Sequence, residues 1–384
     1  MQMEALEAAR EMLPLITKHR GETESARRIA APVVDALRKA RLGRLAIPRE
    51  LHGLELPTPV ALDVYEMLAG AEASVGWIVW NNTLPCFWGR FLTPAARAEI
   101  FGDPDWLYAS STRPSGKAVI DGDGYRVTGR WSLVSGCELS EWMALRCMVE
   151  ENGQPRMLQP RVPEARLIFL RRADVEILDT WHTGGLRGTG SHDVVVTDKF
   201  VARAHSCSPM DGSTVDSAIG RVPIVCNMAA GYGAQLLGLG RAAVDALIEL
   251  SRNKPAVDPG PGLGERPAAL AAIAEHQARI AAAREFLHAR VTQLWTEAEA
   301  GQRTINSIAA VFAAAHHAMA QGRAAVTGMY ALAGASALYT SSPLERMHRD
   351  MHAMAAHVIA QPMWLEDTGR VALGLKTVNP LYQI

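Results

Sequence analysis

The chain has 384 residues, too many for one small core and enough for two or three packed units. Its 39 basic and 40 acidic side chains balance, and 48% hydrophobic with 21% charged residues is an ordinary globular mixture, so nothing biases it toward nucleic acid or an anionic membrane, and its partner is expected to be a small molecule. The five cysteines Cys86, Cys137, Cys147, Cys207 and Cys226 are scattered without C-x-x-C spacing. They argue against a disulfide framework or a zinc site. The N-terminus lacks a basic region before an apolar run, and no stretch is apolar for roughly 18 residues, so a cytoplasmic protein without a membrane span is expected.

From Glu4 to Ile100 apolar residues recur three and four apart, as in Ala5, Ala8, Ala9, Met12, Leu13 and Ile16, which predicts a helical domain over 1–105. Loops interrupt it at Ile47 to Leu54 and at Leu92-Thr93-Pro94, where Thr93 suits a helix cap and Pro94 the first helical position. Near Trp106 the period drops to two. Tyr125, Val127, Gly129, Trp131 and Leu133 alternate with polar Arg126, Thr128, Arg130 and Ser132, predicting a strand with one wet face. Turn signals at Asp121 to Gly124 and Asn152-Gly153, and strand-like runs at 142–149, 167–170 and 192–197, extend this into a β domain over 106–215. The helical period then resumes in Ala-rich runs at 227–252, 268–300 and 304–334, a C-terminal bundle over 216–384. The Pro- and Gly-rich stretch from Asn253 to Pro267 reads as a mobile loop between two of these helices. No repeat recurs at solenoid periods.

Three stretches carry recognisable chemistry. The first is Ala109-Ser110-Ser111-Thr112-Arg113-Pro114-Ser115-Gly116 with Gly129-Arg130-Trp131-Ser132-Leu133-Val134-Ser135-Gly136 after a hairpin. The second runs from Trp181-His182-Thr183-Gly184-Gly185-Leu186-Arg187-Gly188-Thr189-Gly190-Ser191 into a strand and Phe200-Val201-Ala202. Its glycines precede a strand, whereas a dinucleotide fingerprint follows one and opens a helix. The third runs from Leu332-Ala333-Gly334-Ala335-Ser336 through Arg346-Met347-His348-Arg349-Asp350 to His357. Taken by themselves, Ser135-Gly136 also fits a strand-ending turn and His357 a satisfied core histidine.

With their helix–sheet–helix order, these stretches resemble the acyl-CoA dehydrogenase superfamily over nearly the whole chain. The resemblance implies an α+β fold: an N-terminal helical domain, a central β-barrel-like domain and a C-terminal four-helix bundle, with a flavin in the cleft between sheet and helices, and a homotetramer. The dehydrogenases carry T-E-P-x-x-G and W-I-T-N-G; the pattern G-R-W-x-x-x-S-G is more similar to the two-component flavin monooxygenases that hydroxylate phenols, steroid-derived phenols and thiophenes. The second stretch resembles W-x-x-x-G-x-R-G-T-G-S followed by F-V-P, with Ala202 in place of the proline.

Seven or eight residues past Asp350 the dehydrogenases place the glutamate that removes a carbon-bound proton. This chain has His357 and Val358 there, and no Asp or Glu between Asp350 and Glu366, so a dehydrogenase lacks its base while a monooxygenase fits. The resemblance then implies a reduced-flavin-dependent monooxygenase. A separate reductase delivers reduced FAD or FMN, O2 adds at flavin C4a, and a small aromatic or heteroaromatic substrate is oxygenated. His357 and Ser135 are the expected catalytic residues, Ser135 hydrogen-bonding the oxygen adduct and His357 acting as acid-base or polarising partner. Thr112, Trp131, Ser135, Thr189, Ser191, Arg252 and Gly334 are expected to hold the cofactor, and Trp77, Asn81, Asn82 and Phe87 to line the substrate pocket. Arg252 matches an arginine that reaches flavin phosphate, but Asn253-Lys254-Pro255 replaces the following Q-F-G, leaving FAD and FMN open. The rivals are an acyl-CoA dehydrogenase or oxidase with a relocated base, and a non-catalytic flavin-binding or assembly protein. No metal is expected: His348 and His352 share a helical face, but Asp350 lies opposite. Arg346, Arg349 and Asp350 are expected to form ion-paired structure between subunits.

Overall fold

A computed structural model describes residues 2–253, 261–379 and 381–383. The N-terminal helices are α1 (Gln2–Ala26), α2 (Ala31–Lys39), α3 (Thr58–Ala71), α4 (Ala73–Trp88) and α5 (Pro94–Phe101). Along α1, Ala5, Ala9, Met12 and Ile16 form the buried stripe that their spacing calls for. Helix α4 is different: it is buried without a break from Ala73 to Pro85, a helix enclosed on all sides. At α5 the Thr93 hydroxyl accepts the Ala96 N–H at 3.3 Å, with Pro94 as first residue, the cap expected from sequence.

The strands are β1 (Tyr108–Asp121), β2 (Gly124–Trp131), β3 (Trp142–Glu151), β4 (Gln154–Pro155), β5 (Met157–Gln159), β6 (Val162–Pro163), β7 (Ala165–Arg171), β8 (Glu176–Leu178), β9 (Asp193–Ala202) and β10 (Ser206–Cys207). The main sheet runs β10-β7-β3-β1-β2-β9-β8, with β1 and β3 parallel and its other pairs antiparallel. Strand alternation divides its residues between two cores. Tyr125, Val127, Trp131, Met143, Leu145 and Cys147 fill the sheet's own core, while Tyr108, Trp142, Ala144 and Phe169 face the helices. The alternation expected to reach Leu133 stops at Trp131: Leu133 turns into a left-handed conformation (φ 61°) and is 47% exposed. Register between β1 and β3 breaks once. Ser111 pairs with Leu145 and Gly116 with Cys147, so Thr112 to Ser115 bulge out opposite Arg146 alone.

The C-terminal helices are α6 (Ala218–Arg221), α7 (Ile224–Asn253), α8 (Pro267–Glu299), α9 (Ile305–Ala333), α10 (Pro343–Ala355) and α11 (Met363–Ala372). Helices α7 and α9 cross closely because of small residues: a Cβ on Gly322 would lie 2.2 Å from the Leu236 carbonyl oxygen. Of the loop expected between α7 and α8, residues 254–260 lie outside those described. Helices from both ends of the chain share one core with the helix-facing side of the sheet. Among the described residues no helix is long and apolar enough to cross a membrane.

Helix α10 is pinned within its own chain, not through residues awaiting another subunit. Arg346 pairs with Glu72 at 3.3 Å, Arg349 with Glu345 at 2.6 Å and Glu24 at 3.0 Å, and Asp350 accepts the Leu186 N–H at 2.6 Å. Burial, then repulsion from Glu72, pushes the Asp350 carboxyl well above the usual range, with Leu186 opposing.

Candidate active site

Between the helix-facing side of β1 and β3 and helices α4, α7 and α10 lies a cavity of about 930 Å³, at the upper end of the ~300–1,000 Å³ typical of small-molecule sites. Trp77, Leu84, Trp88, Trp181, Met228 and Trp364 give it apolar walls. None of its described lining residues is Asp or Glu; its ionisable lining groups are Arg113, Arg146, Arg349, His348, His352 and His357.

A line of hydroxyls forms the wall on the sheet side. Trp77 Nε1–H donates to Ser135 Oγ at 3.0 Å, Ser135 and Ser191 are joined at 2.7 Å, Ser191 and Thr189 at 2.6 Å, and the Thr189 hydroxyl donates to the Leu186 carbonyl at 2.8 Å. The last bond fixes the direction of the rest. Thr189 has spent its only proton, so Ser191 donates to Thr189 and Ser135 to Ser191. Ser135 therefore faces the cavity with a lone pair, and donating outward requires the chain to reverse.

His357 stands two residues beyond α10, not on the helix face that its spacing from Asp350 implies. Its backbone is extended (ψ 144°) and it caps the short turn Val358–Ala360, with Nδ1 accepting the Ile359 N–H at 3.2 Å. A neutral imidazole with Nδ1 occupied as acceptor carries its proton on Nε2. Tyr232 stacks on the ring at 5.4 Å, and Trp77 and Trp80 meet it edge-on at 5.5 and 5.7 Å. Burial in this aromatic setting, and secondarily the charge of Arg113, push its pKa down to about 4.

The cavity brings together Thr112, Ser135, Ser191, Trp77, Asn81 and His357 of the residues expected from sequence. Others sit elsewhere for identifiable reasons. Trp131 points into the sheet's own core and donates to the Arg146 carbonyl at 2.8 Å, while Thr189 lies behind Ser191. Asn82 is structural: its Oδ1 accepts the Tyr108 N–H at 2.6 Å and its amide donates to the Ile78 carbonyl. Phe87 faces a small void with Leu45, Leu56 and Tyr65. Arg252 projects from the end of α7, its side chain 72% exposed, and Gly334 follows α9 with open space around it. Neither lines the cavity of its own chain.

Known proteins match this chain along nearly its full length. Residues 230–362 match the acyl-CoA dehydrogenase, C-terminal domain family. The chain is similar to the 3-HSA hydroxylase from Rhodococcus sp. RHA1, with a TM-score of 0.88 at 25% identity, covering 98% of this chain and 99% of that one. It is also similar to the indole-3-acetate monooxygenase of Pseudomonas putida, 26% identical over 92% of this chain and 90% of that protein. The flavin-dependent monooxygenase, oxygenase subunit HsaA, of Rhodococcus jostii is 29% identical over 91% of this chain and 93% of its own.

The chain has the acyl-CoA dehydrogenase fold. The polar groups of the cavity described above fit a flavin. Asn81 Oδ1 and Trp88 Nε1 are buried without partners, and the hydroxyls of Ser110, Ser111 and Thr112 bond to nothing else among the described residues. Flat apolar walls with unspent donors and acceptors, and no carboxylate, suit a polar heteroaromatic ring that carries negative charge when reduced.

Sequence reasoning missed Tyr232, Trp88 and Arg146. Tyr232 and Trp88 sit in runs that read as ordinary helix core. Arg146 did leave a signal, as the only charge in the otherwise apolar run from Trp142 to Val149.

Proposed function

We propose that this chain is the oxygenase component of a two-component flavin monooxygenase: it receives reduced FAD or FMN from a separate reductase and inserts one atom of O2 into a small aromatic or heteroaromatic substrate. The observation that carries the reading is His357 at the place where a dehydrogenase needs a carboxylate, in a cavity whose described lining holds no Asp or Glu. When bound, the reduced flavin supplies the two electrons that activate O2, one oxygen atom entering the substrate and the other leaving as water.

The chain's own residues bind and orient. Ser135, its proton directed inward to Ser191, offers an acceptor for an N–H of the bound ring; Ser191 and Thr112 complete that wall. His357, neutral above its lowered pKa, offers Nε2–H as a hydrogen-bond donor and so polarises an oxygen without supplying a base. Trp77 and Asn81 bound the substrate side, the orphaned Asn81 Oδ1 accepting from a hydroxyl or ring N–H.

Arg252 and Gly334, remote from their own cavity, would contribute through a neighbouring copy in a homotetramer. The exposed Leu338, Tyr339, Leu373 and Val378 are surfaces that such an assembly would cover. The five free cysteines, four of them buried, suit the cytoplasm.

The test supplies a generic flavin reductase, NADH, FAD or FMN, and a panel of phenols, indoles and sulfur heterocycles under 18O2. One 18O atom in the product of some panel member, lost with the reductase omitted, is expected; turnover without reduced flavin, or 18O found only in peroxide for every compound, contradicts the reading.

A further inference from the structure

Of the three arginines that line the cavity, one is balanced and two are not. Arg349 is held by Glu345 and Glu24. Arg113 and Arg146 have no hydrogen-bond or ion-pair partner for their side chains among the described residues, and no lining carboxylate is present to provide one. They meet at the same irregularity in the sheet. The bulge Thr112 to Ser115 stands opposite Arg146 alone, and strand alternation turns Arg146, like Ala144 and Trp142, toward the helices and the cavity. Beside them lie the partnerless hydroxyls of Ser110, Ser111 and Thr112.

Arg146 is half-buried, and that burial alone pulls its pKa down, with no nearby acid to oppose it. A guanidinium taken from water without a counter-charge is destabilising, so sequences retain one where something anionic arrives to pair with it. Its planar fork matches a carboxylate bidentately. Arg113 also lies close enough to His357 for its charge to lower the imidazole's affinity for a proton, so the cationic corner adjoins the proposed reaction centre. The same cavity is also lined by apolar Leu84, Trp88, Met228 and Trp364.

We propose that the substrate is an aromatic or heteroaromatic acid, its anionic group received by Arg146 and Arg113 and its ring by the apolar walls. This deepens the monooxygenase reading and depends on it for the word substrate, while the anion site itself does not. The same arginines could serve a flavin phosphate, so the test separates the two sources of negative charge.

Flavin-loaded protein is titrated with phenylacetate, naphthylacetate and indolylacetate and with the corresponding amides; separately, FMN is compared with riboflavin on flavin-free protein. Both are repeated in Arg146→Met and Arg146→Lys. At least one acid should bind about tenfold tighter than its amide, the size of one charge-assisted hydrogen bond. Arg146→Met should erase that preference, Arg146→Lys should keep part of it, and the ratio of FMN to riboflavin affinity should stay unchanged. Acids and amides bound alike by the wild type would overturn the proposal. So would an Arg146→Met that keeps the acid preference and weakens FMN relative to riboflavin, since the arginine would then serve the cofactor. An acid preference abolished in Arg146→Met, in a protein that oxygenates neither these acids nor any of the phenols, indoles and sulfur heterocycles with reduced flavin, would leave the anion site standing and sink the monooxygenase reading instead.

Discussion

At neutral pH His357 has Nδ1 tied to the Ile359 N–H and a pKa pushed down to about 4, so it offers a proton on Nε2 without readily gaining another. The unfolded chain takes up a proton at this position near the ordinary 6.5, and the folded one only near 4. Between those values the unfolded state binds more protons, so stability is full above about pH 6.5 and falls as pH drops toward 4. Replacing His357 with Gln should flatten that dependence by up to about one proton, read from chemical denaturation at several pH values; an unchanged slope would mean the imidazole titrates normally. Ser135→Ala should cost about 1–2 kcal/mol, because the indole N–H of Trp77 loses its acceptor and Ser191 its donor. It should also raise the share of O2 lost as peroxide, measured against product. That Ser135, Ser191 and His357 come to one cavity was legible because they lie in short patterned motifs. Asn82 and Phe87 were not separable from Asn81, because α4 is enclosed on every side and its sequence gives no wet face by which to orient it.

Among the elements, α10 sets the cavity's far wall. Gly185 lies so close to it that a Cβ would meet the Arg349 carbonyl oxygen at 2.2 Å, and Asp350 holds the next residue by its N–H. Asp350→Ala should therefore cost about 1–3 kcal/mol and loosen the stretch from Gly184 to Leu186, seen as faster amide exchange there. Asp350→Asn, which keeps an acceptor and suits a carboxyl already raised well above the usual range, should cost far less. The two variants behaving alike would argue against this role. A second tie joins α3 to α8, where Arg284 meets buried Glu66 at 2.8 Å and Arg241 reaches the same carboxylate at 2.9 Å. Arg284→Ala should cost about 1–2 kcal/mol by leaving Glu66 with Arg241 as its remaining partner, measured as a fall in denaturation midpoint. Element types and order followed from apolar period alone, since long helices and half-buried strands repeat distinctly. The end of α10 before His357 was hidden, because Ala355-Ala356 reads as continuing helix.

For the whole molecule, the sheet supplies hydroxyls and arginines from one face, and helices from both ends of the chain supply aromatic walls and an imidazole. The order of helices, sheet and helices was visible in sequence. That the two helical ends share one core was not, because periodicity reports which face is buried and never what covers it. No described lining residue of this cavity is a carboxylate that can pull a proton from carbon. Anaerobic titration of the oxidised flavin complex with short, medium and aromatic acyl-CoA thioesters, without reductase, checks for any other base. The flavin absorbance should hold steady throughout, whereas bleaching by any thioester would reveal a working base and return the chain to the dehydrogenases.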